Sequence, residues 1–244
     1  MFCKRFTLLT CFLVSFVVAL SACTPNASSD SKASSSSGDQ ISLFDGQSLE
    51  GWTKKGGEAT YEVEDGTILG TSGPGPNTFL VSDSTFRNFE LTAEVKLEDD
   101  SLNSGIQVRS TLEERNGSPH LVGPQVEIEA SPPAGVASSP AGEAGYIYGE
   151  ATGQGWISKE HEPLKVFKND AWNKYRIRAL GDSITAWVNG TRVAAIRDTA
   201  SNQSGHLGLQ VHAVPDDARW QVRWRNLRTC QRASSGTACT CRPR

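Results

Sequence analysis

The chain has no block of basic residues and few signs of helix. Its 24 Lys and Arg are outnumbered by 27 Asp and Glu, and the formal net charge is −3. A mildly acidic chain without a basic patch does not suit a phosphate backbone, so we do not expect nucleic acid as a partner. The 3.6-residue period of amphipathic helices is hard to find, which argues against a helical fold.

The first 22 residues have the pattern of a secretory signal. Lys4 and Arg5 precede an apolar run, Phe6–Leu20, which is short for a membrane span and ends in small residues. The sequence Leu-Ser-Ala-Cys at residues 20–23 resembles a bacterial lipobox, which implies acylation of Cys23. An ordinary signal peptide with a chance cysteine is the alternative. We expect a lipid-anchored protein of the cell envelope, and Thr24 in place of an aspartate favours the outer membrane.

Residues 24–40 contain no large apolar side chain. Such a segment cannot bury enough surface to offset chain entropy, so we expect a flexible tether. The predicted organisation is a signal peptide over residues 1–22, acylated Cys23 and its tether over residues 23–40, one folded domain over residues 41–229, and a tail over residues 230–244.

Three cysteines lie beyond the signal and the lipidated position, namely Cys230, Cys239 and Cys241. An oxidising compartment permits one disulfide among them, with one thiol left over. A zinc site is the weaker alternative, because the ligand spacing lacks a second cluster.

Apolar and polar side chains alternate through most of residues 41–229, which is the period of β-strands. Phe89–Leu97 is a long example, and the segment Ile184–Ile196 contains Asn189-Gly190, a strong hairpin signal. About ten short strands separated by Gly and Pro indicate an all-β sandwich of two antiparallel sheets. Further strands are predicted at residues 104–110, 124–130, 145–149, 172–180, 205–213 and 219–228, and long loops at residues 131–145 and 150–168.

Three of these strands carry aliphatic side chains on one face and unusual polar side chains on the other. An ordinary solvated face carries Lys, Thr and Ser, whereas these faces carry groups that bind or transform polar ligands. If the strands are neighbours, the polar groups converge on one surface; scattered polar residues on an ordinary face are the alternative. The residues are Gln107, Arg109, Gln125, Glu127, Glu129, Gln210 and His212.

A series of motifs in the folded region resembles, in order, the 3-keto-disaccharide hydrolase-like family. The region opens with Phe-Asp-Gly-Gln-Ser-Leu-Glu-Gly-Trp at residues 44–52 and closes with Arg-Trp-Arg-Asn-Leu at residues 223–227. Between them lie Asn103–Ile106 with Arg109, Gln125–Ile128, Gly145–Gly149, Trp172–Tyr175, Trp187–Gly190 and Gly205–Gln210 with His212. Relatives often read Tyr-Glu-Val-Gln where this chain has Pro-Gln-Val-Glu at residues 124–127, so carboxylate and amide have exchanged places on one strand face.

The resemblance implies a concanavalin- or laminin-G-like jelly roll whose concave sheet binds sugars. It also implies cleavage of glycosides oxidised at carbon 3, within glycan breakdown outside the cytoplasm. The ketone acidifies the hydrogen on C2, a base removes it, the enolate expels the C1 substituent, and water then adds to the enone. We expect Glu127 or His212 as the base and Arg109 as the partner of the enolate oxygen. The candidate substrate-binding residues are Gln107, Gln125, Glu129, Tyr148, Gln210 and Trp156.

Three alternatives stay open on the same residues. A divalent metal held by Glu127, Glu129 and His212 could replace the arginine as electrophile. A conventional retaining glycosidase is less consistent with the sequence, because Gln125 stands where a nucleophile would be. The non-enzymatic alternative is a surface glycan-binding module, in which Trp156, Trp172 or Trp187 stacks on sugar rings.

Overall fold

Antiparallel β-strands make up the regular structure of the domain. The computed structural model describes residues 40–115, 117–132, 142–158, 164–200, 204–215 and 218–231. Within these ranges it contains fifteen strands and no helix, and so no helix long and apolar enough to cross a membrane. The strands are β1 (Ile41–Ser42), β2 (Trp52–Gly56), β3 (Thr60–Glu64), β4 (Thr67–Thr71), β5 (Thr78–Phe86), β6 (Phe89–Leu97), β7 (Ser104–Arg115), β8 (Ser118–Ile128), β9 (Ile147–Glu150), β10 (Gly155–Trp156), β11 (Asn173–Leu180), β12 (Ser183–Val188), β13 (Thr191–Arg197), β14 (Gly205–Val211) and β15 (Gln221–Gln231).

The strands form two sheets that pack face to face. The first, here called the back sheet, has the order β13-β12-β11-β6-β15-β4-β3, and β1 also pairs with β15. The second, here called the site sheet, has the order β10-β9-β8-β7-β14-β5-β2. This is the predicted jelly-roll sandwich, and the strands containing the polar faces, β7, β8 and β14, are neighbours in one sheet as expected.

The apolar side chains of the site sheet meet those of the back sheet in one core. Strand alternation places one face of each strand inward, since successive side chains point to opposite sides. Six aliphatic side chains predicted to face inward are at most 1% exposed and belong to the core cluster, which confirms that assignment. They are Ile106, Val108, Val126, Ile128, Leu209 and Val211.

Asn189-Gly190 forms the predicted hairpin turn between β12 and β13. Both residues have positive φ, 51° and 87°, as a tight two-residue hairpin requires. At the end of the domain, Cys230 in β15 is buried and disulfide-bonded. Cys239 and Cys241 lie outside the described residues, as do the signal peptide, Cys23 and the tether.

The hairpin formed by β7 and β8 is longer than the sequence indicated. Strands were predicted at residues 104–110 and 124–130, yet pairing continues outward to Arg115 and Ser118. A β-bulge interrupts the register between Gln107 and Thr111, and Arg109 within it has a φ of 50°. Such a bulge bends the strand and re-aims the side chain that it carries. In the loop predicted from residue 150 onward, the short strand β10 pairs with β9.

Candidate active site

Glu127 lies at the floor of a cavity on the outer face of the site sheet. The cavity has a volume of about 370 Å³. It is lined by Asn77, Asn103, Gln125, Glu127, Tyr148, Glu150, Trp156 and His212. Glu127 is only 4% exposed, and two side-chain amides donate hydrogen bonds to its carboxyl group. Gln125 Nε2 lies 2.8 Å from Oε1, and Asn103 Nδ2 lies 3.1 Å from Oε2.

Burial raises the pKa of the Glu127 carboxyl to about 8. The hydrogen bonds from Gln125 and Asn103 lower this pKa, whereas the negative charges of Glu150 and Glu129 raise it further. Desolvation disfavours the charged form, so the group is largely protonated at neutral pH. A carboxylic acid that holds its proton until about pH 8 can donate that proton to a leaving group.

His212 lines the same cavity, immediately beyond the end of β14. Its Nδ1 lies 2.7 Å from the carbonyl oxygen of Ala213. A carbonyl oxygen only accepts hydrogen bonds, so in the neutral imidazole Nδ1 carries the hydrogen and Nε2 keeps a free lone pair. His212 is solvent-exposed, and it is therefore an accessible proton acceptor beside the buried acid. Glu127 and His212 thus line one cavity, as the sequence predicted.

Two aromatic side chains flank the cavity on the β9–β10 side. Tyr148 and Trp156 face each other across the pairing of these strands, with ring centroids 5.3 Å apart in an edge-to-face arrangement. Trp156 is 38% exposed. An exposed indole beside a polar cavity offers an apolar surface for the face of a sugar ring.

Three glutamines form a buried amide layer on the same sheet face. Gln125 Nε2 donates to Gln210 Oε1 at 3.1 Å as well as to Glu127, and Gln107 Nε2 donates to the carbonyl of Leu121 at 3.1 Å. All three side chains are at most 2% exposed. Among the described residues, Gln107 Oε1, Gln125 Oε1 and Gln210 Nε2 have no hydrogen-bond partner. Of the three glutamines, only Gln125 lines the cavity, and Gln107 and Gln210 lie on the same face outside the cavity lining.

Arg109 is not in this cavity, and the expectation that it joins Glu127 and His212 is wrong. Its positive φ lies at the bulge, which breaks the alternation that would have placed Arg109 beside Gln107. The guanidinium instead donates to the carbonyls of Arg87 and Gly181 and to Asn88 Oδ1, at 2.6, 2.7 and 3.3 Å. Arg109 therefore ties β7 to the β5–β6 connection, which joins the two sheets, and to the β11–β12 turn of the back sheet.

Glu129 also lies outside the cavity lining. Glu129 is one residue beyond the end of β8, and its Oε2 accepts a hydrogen bond from the backbone N–H of Glu143 at 2.8 Å. The described residues contain no group of three or more His, Cys, Asp or Glu side chains placed to hold a metal ion, and the divalent metal considered above stays a prediction. The carboxylate that does share the cavity with Glu127 is Glu150.

The sequence reasoning missed three cavity residues, Asn77, Asn103 and Glu150. Asn103 begins one of the family motifs, and Glu150 follows Tyr148 at the two-residue spacing that places both side chains on one strand face. Asn77 follows a loop of alternating glycine and proline, and nothing in this segment of the sequence indicated a binding or catalytic residue. Its Oδ1 accepts the backbone N–H of Ala213 at 2.8 Å, and this bond joins the start of β5 to the residue after His212.

Trp172 and Trp187 are on the other side of the molecule. Trp187 in β12 packs under the guanidinium of Arg176, with Cζ 3.7 Å from the ring centroid. Trp172 packs against Arg225 of β15 in the same way, at 3.9 Å. Both indole rings therefore stack against arginine side chains of the back sheet, and neither lines the cavity.

A family model describes nearly the whole folded region. The model of the 3-keto-alpha-glucoside-1,2-lyase-like domain matches residues 39–229. The chain belongs to this family. The match covers all of the cavity residues, and it supports a carbohydrate-related function of a glycoside-hydrolase type.

Solved structures with a similar fold share little sequence with this chain. A candidate glycosyl hydrolase from Parabacteroides distasonis has 17% identity and a TM-score of 0.52, with 77% of this chain and 91% of that chain covered. A protein of unknown function with a galectin-like fold from Bacillus subtilis has 11% identity and a TM-score of 0.56, with 75% and 90% covered. At these identities the likeness establishes the jelly-roll fold. A search of the curated proteins found no match.

Proposed function

We propose that the domain cleaves 3-keto-glycosides by elimination followed by hydration, with His212 as the base and Glu127 as the acid. The observation that carries the proposal is the pairing of unlike groups in one cavity: a buried carboxyl with a pKa of about 8 and an exposed imidazole with a free Nε2. Membership of the family supports the choice of a ketone at C3.

In the first half of the reaction, His212 Nε2 removes the proton from C2. The enolate then re-forms the C3 ketone, a C1–C2 double bond forms, and the bond from C1 to the leaving oxygen breaks. Glu127 gives its proton to that oxygen. In the second half, water adds to C1 and the Glu127 carboxylate accepts a proton from the water. The imidazolium N–H exchanges with solvent, because His212 is exposed, and then delivers a solvent-derived proton to C2. The sum of the two halves is hydrolysis.

The oxygen on C3 gains negative charge in the enolate and needs hydrogen-bond donors. Arg109 does not serve this role, because it does not line the cavity and its guanidinium donates three hydrogen bonds to two connections between strands. Among the described residues that line the cavity, the side-chain donors besides Gln125 are the amides of Asn77 and Asn103, the hydroxyl of Tyr148 and the indole of Trp156. Asn77 and Asn103 each use one amide N–H, toward Glu150 and Glu127 respectively, and we assign the enolate oxygen to the second N–H of each amide.

The test is to incubate purified full-length protein with a 3-keto-glycoside and with its unoxidised parent, with and without EDTA, in D₂O. We expect release of the leaving sugar from the oxidised compound alone, with deuterium at C2 of the product beyond the exchange of free product. The EDTA samples test the metal hypothesis directly. Cleavage without deuterium at C2 would contradict elimination and would indicate direct hydrolysis.

Two histidine variants test whether His212 is the base. His212→Gln should lower kcat by about a hundredfold or more, the scale usual for a lost proton acceptor. His206→Gln is the matched control, because His206 belongs to the same strand, β14, but its Nδ1 contacts the carbonyl of Ser82 outside the cavity. An equal loss in both variants would mean that histidine substitution damages β14 and not the chemistry.

A second candidate function, glycan binding without cleavage, is favoured by the exposed Trp156 beside Tyr148. Under this alternative, Trp156→Ala would abolish binding of unoxidised saccharides, and the oxidised compound would stay intact. The incubation above separates the two candidates, because only the enzyme consumes its ligand.

A further inference from the structure

The outer face of the back sheet, here called the basic face, carries most of its charge as Lys and Arg. The strands β13, β12, β11, β6 and β15 are adjacent in that sheet, and they contain nine basic residues but only two acidic ones, Glu90 and Glu94. None of the basic side chains is buried, because they alternate with side chains of the core. They are Lys96, Lys174, Arg176, Arg178, Arg192, Arg197, Arg223, Arg225 and Arg228.

Ion pairs neutralise only part of this charge. The two glutamates each pair with one arginine, Glu90 with Arg176 at 3.8 Å and Glu94 with Arg225 at 2.8 Å. At the margins of the face, Glu64, Glu98 and Asp182 pair with three more of the basic side chains. Among the described residues, the other four have no ion pair, and they are Lys174, Arg178, Arg192 and Arg228. The face therefore stays positive although the formal net charge of the chain is −3.

A β-bulge in β15 brings two of the arginines to this face. Arg225 and Arg228 are three residues apart, so a regular strand would place them on opposite faces. The register shifts between them, and Asn226 within the bulge has a φ of 52°. Beside the bulge, between β6, β11 and β15, lies a cavity of about 290 Å³. It is lined by Gln40, Thr92, Ala93, Glu94, Lys174, Asn226 and Arg228.

The chain enters the domain beside this cavity. Gln40 belongs to its lining, and the next two residues form β1, in which Ser42 is paired with Arg228 of β15. The predicted acyl group on Cys23 is 17 residues before Gln40, so a membrane that holds this group lies at most about 60 Å from Gln40. The tether and the basic face therefore share one side of the sandwich.

Two partly exposed indole rings lie among the basic side chains. Trp172 and Trp187 stack on Arg225 and Arg176, as described above. Tryptophan is enriched where lipid meets water, because its ring is apolar and its N–H is polar. Arginine suits phosphate, because its planar fork can donate two hydrogen bonds to phosphate oxygens. Together with the position of the tether, this composition favours a phospholipid surface over a soluble polyanion.

We propose that the basic face docks on the anionic phospholipid surface of the membrane, with a headgroup phosphate in the cavity lined by Lys174 and Arg228. The acyl group holds the domain near the membrane, and the attraction of the cations to anionic lipids selects the side that meets it. The cavity that contains Glu127 then faces away from the membrane, because it lies on the outer face of the opposite sheet. This docking does not depend on the proposed reaction, so failure of the cleavage assay leaves it standing.

The test measures binding to lipid vesicles by co-sedimentation, with a chain that has no acyl group of its own. Residues 23–244 with Cys23→Ser are suitable, because both sheets and the core lie within residues 40–231. We expect binding to phosphatidylcholine vesicles with about 30% phosphatidylglycerol to be at least about tenfold stronger than binding to phosphatidylcholine alone. Salt at about 0.5 M should remove most of this difference, because it screens the charges.

A pair of double variants locates the contact. Lys174→Gln with Arg228→Gln should weaken binding to the mixed vesicles by about tenfold or more, because each cation near the surface adds to the attraction. Lys54→Gln with Lys55→Gln is the matched control, since it removes the same charge from β2 of the site sheet and should leave binding unchanged. Melting temperatures of both variants verify that the domain is folded.

The vesicle comparison with unsubstituted basic residues decides the proposal even if a variant is unstable. Equal binding to the two kinds of vesicle, or no binding to either, would overturn it. An equal loss in the two double variants would also overturn it, because net charge and not the basic face would then govern binding. Polygalacturonate is tested alongside, and binding to this soluble polyanion without binding to vesicles would assign the face to an anionic polysaccharide instead.

Discussion

Replacing Glu127 by Gln tests the buried acid through the stability of the whole domain. Gln keeps the size of the side chain and resembles the neutral acid, with its carbonyl oxygen still able to accept from Gln125. Burial has raised the pKa of Glu127 from 4.5 to about 8, so the folded protein binds this proton more tightly than the unfolded chain does. The proton's contribution to stability is then fully present below about pH 4.5 and is lost as the pH rises through 8.

The size of the effect follows from the two pKa values. At 1.36 kcal/mol for each tenfold change in proton affinity, the whole contribution is roughly 5 kcal/mol, and roughly 4 kcal/mol of it is lost between pH 5 and pH 9. The Gln variant has no proton to lose at this position. Its free energy of unfolding should therefore rise relative to wild type by up to about 4 kcal/mol over that range.

Urea unfolding at several pH values from 5 to 9 measures the difference. Glu114→Gln, at an exposed position of the β7–β8 hairpin, is the control for the other titrating groups. If wild type and Glu127→Gln lose stability in parallel as the pH rises, Glu127 is ionised in the folded protein and cannot be the acid. On the proposed mechanism, kcat/KM of the wild type should also fall above about pH 8, because the acid is then deprotonated.

Three further changes test the core, the bulge and the anchor. Ile106→Ala should lower the free energy of unfolding in urea by about 2–4 kcal/mol, and a loss well under 1 kcal/mol would contradict its place in the core. Arg109→Met removes three hydrogen bonds and should lower the melting temperature while kcat per folded molecule stays unchanged; a hundredfold fall in kcat would return Arg109 to the chemistry. Cys23→Ala should abolish labelling by palmitate in cells and leave uncleaved precursor on a gel, so acylation of that variant would show the lipobox interpretation to be wrong.

The sequence was sufficient to predict the sandwich and the inward faces of its strands. Alternation along a strand is local, since every second side chain shares a face whatever the neighbouring strand is. Ile106, Val126 and Leu209 could therefore be assigned to the core from their spacing alone. The same rule placed Glu127 and Gln125 on the opposite face, and the family motifs indicated that β8 and β14 contribute to one surface.

Arg109 is an exception to the alternation of side chains along a strand. Alternation holds only while the register is continuous, and one extra residue in β7 reverses the direction of the side chains that follow. The bulge arises from the hydrogen-bond register of β7 with β8 and β14. This register is not encoded in the short segment around Arg109 alone. The family motif therefore suggested a catalytic role for Arg109, whereas this residue holds parts of the fold together.

The pKa of Glu127 and the choice of cavity residues were decided by tertiary structure. The pKa depends on how deeply the carboxyl is buried and on amides from Asn103 and Gln125, and Asn103 comes from a loop preceding another strand. Asn77 Nδ2 donates to Glu150 Oε1 at 3.3 Å although β8, β7 and β14 lie between β9 and β5, so this contact depends on the curvature of the site sheet. The sequence determined which chemical groups the sheet would present, because side-chain identity and strand period are local; the fold determined which of them meet, because curvature and register arise from contacts between segments far apart in the chain.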